Sequence, residues 1–311
     1  MRVLVTGATG VVGRRLLPLL VASGHSVTAL VRAPARAAAI AQPGVAAVTA
    51  DLFDRARLAA PMRGQEAVIN LATHIPSSAS AMIRPGAWRL NDRIRREASA
   101  HLVDAALQAG VKRFVQESFA PTYPDRGAQW IDESVALAPS AYNRSLLDAE
   151  RQAARFGGRG GVAVVLRFGA FYGPDAVQTR IMVKLARLGF AALPGASDAY
   201  LSSLAHDDAA SAAAAALALP GGTYNVVDDE PLTRREFFDA LAAAFGFKPP
   251  RLPPRWMTML LGSVGGTMAR SARISNRKLR GSSDWAPRYK SAREGFAAIA
   301  AALQSKPLGG C

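Results

Sequence analysis

Apolar residues fall along the first two thirds of the chain in two alternating rhythms. Short runs rich in Val, Leu and Ile recur as "RVLVTG" (2–7), "SVTALVR" (26–32), "VAAVTAD" (45–51), "EAVINLA" (66–72), "KRFVQES" (112–118) and "GVAVVLRFG" (161–169). Between them lie stretches with helical spacing, such as "GRRLLPLLVASG" and "NDRIRREASAHLVDAALQAG". Near-continuous apolar runs mark short buried strands, and their alternation with helices predicts an α/β fold with a parallel sheet covered on both faces. After Gly173 the rhythm breaks up. Short helices, "TRIMVKLARLG" and "TRREFFDALAAAFG", stand among loops with Pro194, Pro220, Pro231 and "KPPRLPPRW". "DDAASAAAAALALPG" reads as a helix, because alanine is the best helix former and Pro-Gly closes it. The expected division is a sheet domain over 1–173 and 201–227, a smaller, partly helical lobe over 174–200 and 228–305, and a tail over 306–311.

Composition narrows the classes. The 311 residues suffice for a large core. No apolar run reaches the ~18 residues of a membrane span, and the N-terminus enters a strand with no basic region before an apolar stretch, so neither a span nor a signal peptide is expected. The single cysteine, Cys311, excludes a disulfide framework and a cysteine-ligated metal site. A soluble cytoplasmic protein without metal, membrane or nucleic-acid partner is the expectation. The net charge of +15 is carried mostly by arginine, with lysine supplying six of 38 basic residues. These charges form no cluster with interleaved aromatics, so they read as compositional bias, compatible with an anionic small-molecule ligand.

The first strand ends in "VTGATGVVGRRL", which sets Gly7, Gly10 and Gly13 three residues apart between a strand and a helix. One glycine permits the sharp turn, one lets the backbone approach a pyrophosphate, and one lets helix and strand pack closely. Helix N-terminal amides then face the phosphates. Gly7, Thr9, Gly10, Val11, Val12 and Gly13 are therefore expected to hold a dinucleotide in a Rossmann-type doubly wound fold. The second strand ends in "ALVRAPARA", without the carboxylate that an NAD site offers to the adenosine ribose. Arg32 and Arg36 suit a 2′-phosphate, so NADP is expected before NAD, unless Arg32 is a solvated loop charge. Asp51 and Leu52 suit the adenine edge, with a helix N-cap as the alternative for Asp51.

The chain resembles the extended branch of the short-chain dehydrogenase/reductase superfamily, the epimerase/dehydratase-like proteins. Besides "TGATGVVG", the resemblance rests on "DLFD", "NLAT" (70–73), "AGVKRFVQES", "LRFGAFYGP" (166–174), "SLAHDDAA" (203–210), "TYNVVDDEPLT" (223–233) and "SNRKLR…DWAPRYKSAREGF". It implies a nicotinamide across the strand ends, substrate between sheet and C-terminal lobe, and dimers built on the helices bearing Tyr142 and residues 91–109. It places Leu71, Ala72, Thr73, Phe168 and Gly169 along the cofactor, with His74, Phe119 and Tyr172 toward substrate. Arg167 is a further residue placed to reach cofactor or substrate. For His74 a plain loop histidine is the competing reading; for Asn91 the reading is a helix N-cap. A family asparagine that supports a proton relay aligns nearer Arg95. His206, Asp207 and Asp208 read as capping and lobe docking rather than as metal ligands.

In this family a tyrosine handles the substrate proton, a lysine four residues on lowers its pKa, and a serine or threonine after the fifth strand binds the substrate oxygen. "PSAYNRSLLDAE" matches the tyrosine pattern at Tyr142, with Ser145, Leu147 and Glu150 in frame, but Leu146 stands where the lysine belongs. Aligned on Tyr123, Phe119 fills the hydroxyl position, and Ser118 replaces it only if the strand end slips by one residue. Arg144, two residues from Tyr142, points away on a helix. A tyrosine of ordinary pKa near 10 is a poor base but a usable acid, so the expectation is an NADP(H)-dependent reductase of a carbonyl compound, with Tyr142 as proton donor. A nucleotide-sugar epimerase or dehydratase, and a cofactor-binding protein without redox turnover, are the alternatives.

Overall fold

The computed structural model describes residues 1–76, 79–82, 84, 86–254 and 256–305, so the 306–311 tail and Cys311 lie outside the described residues. Seven strands form one parallel sheet: β1 (Arg2–Thr6), β2 (Ser26–Val31), β3 (Val45–Thr49), β4 (Ala67–Asn70), β5 (Arg113–Phe119), β6 (Val162–Phe168) and β7 (Gly222–Val226). Their spatial order is β7-β6-β5-β4-β1-β2-β3. The order reverses at β1, and the crevice outside the strand ends there is where such sheets bind ligands.

Each face is covered as the apolar periodicity requires. On one side Leu16, Leu17 and Leu20 of helix Gly13–Ala22 meet Ala209, Ala212 and Ala213 of helix His206–Ala215 over Val3, Val5 and Val115. On the other, Leu102, Val103 and Ala106 of helix Ser99–Gln108 and Phe156 of helix Leu146–Gly157 cover Leu4, Val68 and Phe114. A separate cluster of Tyr172, Met182, Leu232, Phe237, Phe238, Leu241 and Phe296 forms the core of the C-terminal lobe.

Two expectations change. β3 is not a buried strand: it is a sheet edge, and none of its residues is fully buried. Gly222–Val226, within the 201–227 segment assigned to the sheet domain but not read as a strand, pairs with β6 as the opposite edge. The lobe docks through the element beginning at His206. Asp208 accepts hydrogen bonds from the backbone amides of Arg288 (2.7 Å) and Tyr289, and Asp207 pairs with Arg15. Arg15 also pairs with Asp175, whose carboxyl is held far below the usual range by His206 and Arg15.

Candidate active site

The turn after β1 is built by glycines for reasons visible in the backbone. Gly7 has φ +67°, and a Cβ there would collide with the backbone of Leu71. A Cβ at Gly13 would strike the backbone of Gly7 and Ala8, so the helix starts against the strand only because that residue is glycine. The Gly10 amide donates to the Gly7 carbonyl (2.9 Å), and no side chain caps the helix at Val12. Thr9 and Val11 are partly exposed on this turn. The helix N-terminus is left without a side-chain cap, which suits a pyrophosphate.

The remaining cofactor candidates lie at or just after the C-terminal ends of β2, β3, β4 and β6. Arg32 and Arg36 are exposed beyond β2, and their side chains make no hydrogen bond or ion pair among the described residues. Asp51 is exposed and accepts from the Phe53 amide, while Asp54 is the actual N-cap of helix Arg55–Met62, so Asp51 is no cap. Leu52 is half-buried; Leu71 is buried, with Ala72 and Thr73 partly exposed after β4. His74 is exposed, and its amide donates to Asn91 Oδ1 (2.9 Å). Asn91 is thus not an N-cap but a buried clamp inside helix Arg89–Arg93 that fixes the loop after β4. Phe168 is a core side chain. At Gly169 a Cβ would lie 2.9 Å from the Ser202 carbonyl, and strand packing accounts for that glycine.

Several catalytic and substrate expectations are corrected. β5 runs in unbroken register to the Phe119–Phe168 pair, so the strand end does not slip. Ser118 remains buried on the helix face of β5, where its hydroxyl donates to Glu150 (2.6 Å). Arg167 is buried and bonds both oxygens of Glu150 (2.9 and 2.7 Å) and the Tyr123 hydroxyl, which raises its pKa and commits it internally. Tyr172 is a lobe core residue, 1% exposed, with its hydroxyl toward Asp228 and its ring against Phe296. Polar residues at strand ends look alike in a sequence, whether they face a crevice or a buried partner distant along the chain.

Tyr142 and Leu146 explain each other. Residues 141–145 form turns, with Leu146 and Leu147 amides bonded three residues back, and the helix starts only at Leu146. Leu146 is 0% exposed. The lysine position is a core position here, not a point on the crevice wall. Tyr142 is partly buried against Trp88, ring centroids 4.9 Å apart and edge-on, and burial pushes its pKa up to about 12. Arg95, Arg270 and the Asn143 amide act against that rise. Arg144 is exposed and lines a groove of about 1060 Å³ on the outer face of helix Leu146–Gly157. Arg270 donates from Nη1 to the carbonyls of Thr122, Tyr123 and Ala138, bracing the segment between β5 and Tyr142. It also borders a cavity of about 580 Å³ lined by Asp125, Asp198, Tyr200, Thr233 and Ser271, at the meeting of the β5 loop and the C-terminal lobe. Sequence reading singled out neither Arg270 nor Trp88; both are distant from Tyr142 along the chain. Among the described residues no group of three His, Cys, Asp or Glu is arranged to hold a metal, and no helix is long and apolar enough to cross a membrane.

Comparison with known proteins agrees with this geometry. An NAD(P)H-binding family model matches residues 7–189. The chain is 35% identical to a 3-diazoavenalumate denitrifying reductase from Streptomyces sp. over 313 aligned residues, covering 95% of this chain and 99% of that protein. It is 25% identical to the 2-alkyl-3-oxoalkanoate reductase of Shewanella oneidensis, covering 88% and 73% of the two chains. Among solved structures, a human epimerase family protein (SDR39U1, isoform 2) with NADPH superposes with TM-score 0.81 at 23% identity, covering 97% of this chain and 99% of that one. A Thermus thermophilus UDP-glucose 4-epimerase complexed with NAD gives 0.78 at 26%, covering 98% and 99%.

Proposed function

Since the chain belongs to the NAD(P)H-binding, extended short-chain dehydrogenase/reductase family, we propose that it is an NADP(H)-dependent reductase in which un-ionised Tyr142 gives the proton that accompanies hydride. The observation that carries this reading is Tyr142 itself, buried against Trp88 and held protonated, with a core leucine in the lysine position. Such a phenol is a poor base for oxidising an alcohol, and its proton remains available for a reduced oxygen. NADP is favoured over NAD by the two unpaired arginines, Arg32 and Arg36, past β2. When bound, the cofactor supplies hydride. The chain's part is to grip the pyrophosphate at Gly7–Gly13 and to offer the Tyr142 proton to the acceptor. The sheet with its crevice takes the cofactor, 1–173 and 201–227, and the lobe, 174–200 and 228–305, takes the substrate.

The acceptor in this reading is a carbonyl compound, which takes one hydride and one proton to become an alcohol. A second acceptor class is favoured by the 35% identity to a diazo-acting reductase over nearly its full length. A diazonium carbon of an arene that takes hydride loses N2 and ends as C–H, and where the arene carries a phenolate the proton goes to its oxygen, so NADPH and one proton balance that reaction as well. Neither reaction calls for a lysine-activated base.

NADPH oxidation, followed against aldehydes, ketones, enones and a diazo arene beside a binding titration, tests the proposal. Turnover is expected on at least one class, falling about 100-fold in Tyr142→Phe. Tight NADPH binding with no turnover on any class, or turnover indifferent to Tyr142→Phe, contradicts it.

A further inference from the structure

The lysine position holds no charge, yet Tyr142 does not lack a cation. Helix Arg89–Arg93 continues through a π-helical turn, Ile94–Ala98, into Ser99–Gln108. Trp88, just ahead of the first segment, stacks edge-on against Tyr142. Arg95 lies seven residues later, two helical turns along the same face. Its side chain is 7% exposed and pairs with Glu117 near the end of β5 at 3.3 Å. The Arg95 Nε–H has no hydrogen-bond partner among the described residues, and neither has Glu117 Oε2. A buried donor left unmatched is costly, and a π-turn in a helix often marks a functional position.

We propose that Arg95 is a positioning residue that takes over the absent lysine's charge: anchored by Glu117 and carried on the Trp88 face of the helix, it steadies the phenolate that Tyr142 becomes once its proton has left. This rests on the reductase reading. The other groups around the phenol serve less well. Arg270 is engaged with three carbonyls, Asn143 is neutral, Arg144 faces the outer groove, and Leu146 is core. Arg95 and Arg270 both act against the rise in the Tyr142 pKa. A guanidinium does not give up its proton, so Arg95 cannot relay one as a lysine can. Tyr142 is then reprotonated from solvent or through the crevice.

A difluorinated tyrosine at position 142, which ionises while the protein stays folded, reads this charge without any substrate. Its titration is compared between the parent protein and Arg95→Met/Glu117→Gln, a pair that removes both charges so that neither is stranded in the interior. The double variant is expected to raise the ionisation by about one unit and Arg95→Lys to keep most of the parent value. In the unfluorinated protein, kcat for the reduction falls roughly tenfold in the double variant with KM for NADPH unchanged. Arg95→Gln, which keeps a donor and loses only the charge, gives the same reading should the double variant not fold. An unmoved titration in a folded variant overturns the proposal. A shifted titration in a protein that turns over no acceptor instead keeps Arg95's assignment and overturns the reductase reading.

Discussion

In the proposed function the turn after β1 and the wall between β5 and Tyr142 serve one cofactor site, yet they carry very different constraints. At the turn the requirement is on the backbone. Gly7 holds a left-handed φ against Leu71, and Gly13 lets the helix touch the strand, so no other residue fits without moving the fold. At the wall the requirement is on side chains, and these have been exchanged while the backbone register stays regular through Phe119. Phe119 replaces a hydroxyl, Leu146 has joined the core, and arginines rather than a lysine supply positive charge near Tyr142. On the proposed reading, cofactor grip is the fixed property and the chemistry beside it the adjustable one.

Gly7→Val breaks the fixed half most severely. The added side chain meets the Leu71 backbone at a φ that L-residues avoid, which is expected to cost about 3 kcal/mol or more and to abolish NADPH binding. Thermal melts and a fluorescence titration with NADPH check both, and a stable variant with parental affinity would show the turn to be less constrained than argued.

Leu146→Lys tests the other half. Restoring the family lysine by identity should not restore its function, because position 146 points into the core. Burying an ammonium there is expected to cost about 3 kcal/mol and leave kcat no higher. A stable variant with faster turnover, measured by denaturant unfolding and steady-state kinetics, would mean the position reaches the crevice.

The smallest expected effect lies at the cofactor's far end. Arg32→Ala and Arg36→Ala should each weaken NADPH about tenfold and leave NADH affinity unchanged, as read by titration with both. An equal loss for both cofactors would place these arginines elsewhere than at a 2′-phosphate.

Much of this was legible in the chain. Six strands lie within two residues of their apolar runs at either end, and all but the edge strand β3 owe this to burial, which leaves continuous Val, Leu and Ile signals. The helix after Thr233 is equally readable: Thr233 and Glu236 form a reciprocal capping box, and Gly246 closes the helix with φ +71°. β7 was hidden because Gly222–Val226 is short, edge-bound and carries Tyr224 and Asn225. The roles of Ser118, Arg167 and Tyr172 were misjudged for a shared reason. Their partners, Glu150 and Asp228, come from other elements, and only the fold brings them together. The fate of position 146 also depends on three dimensions, since the turns before the helix alter its angle to Tyr142.

The pH dependence of kcat addresses the central claim most directly. Burial raises the Tyr142 pKa to about 12, so the phenol stays in its acid form as pH rises through neutrality and the proton it donates remains in place. For an acid that acts protonated, the rate falls only as pH approaches that value. Carbonyl reduction by NADPH is therefore expected to show no Tyr142-dependent limb from neutral to moderately alkaline pH. A falling limb near neutrality that disappears in Tyr142→Phe would mean that this tyrosine ionises there, as a lysine-assisted base does, and would contradict the account.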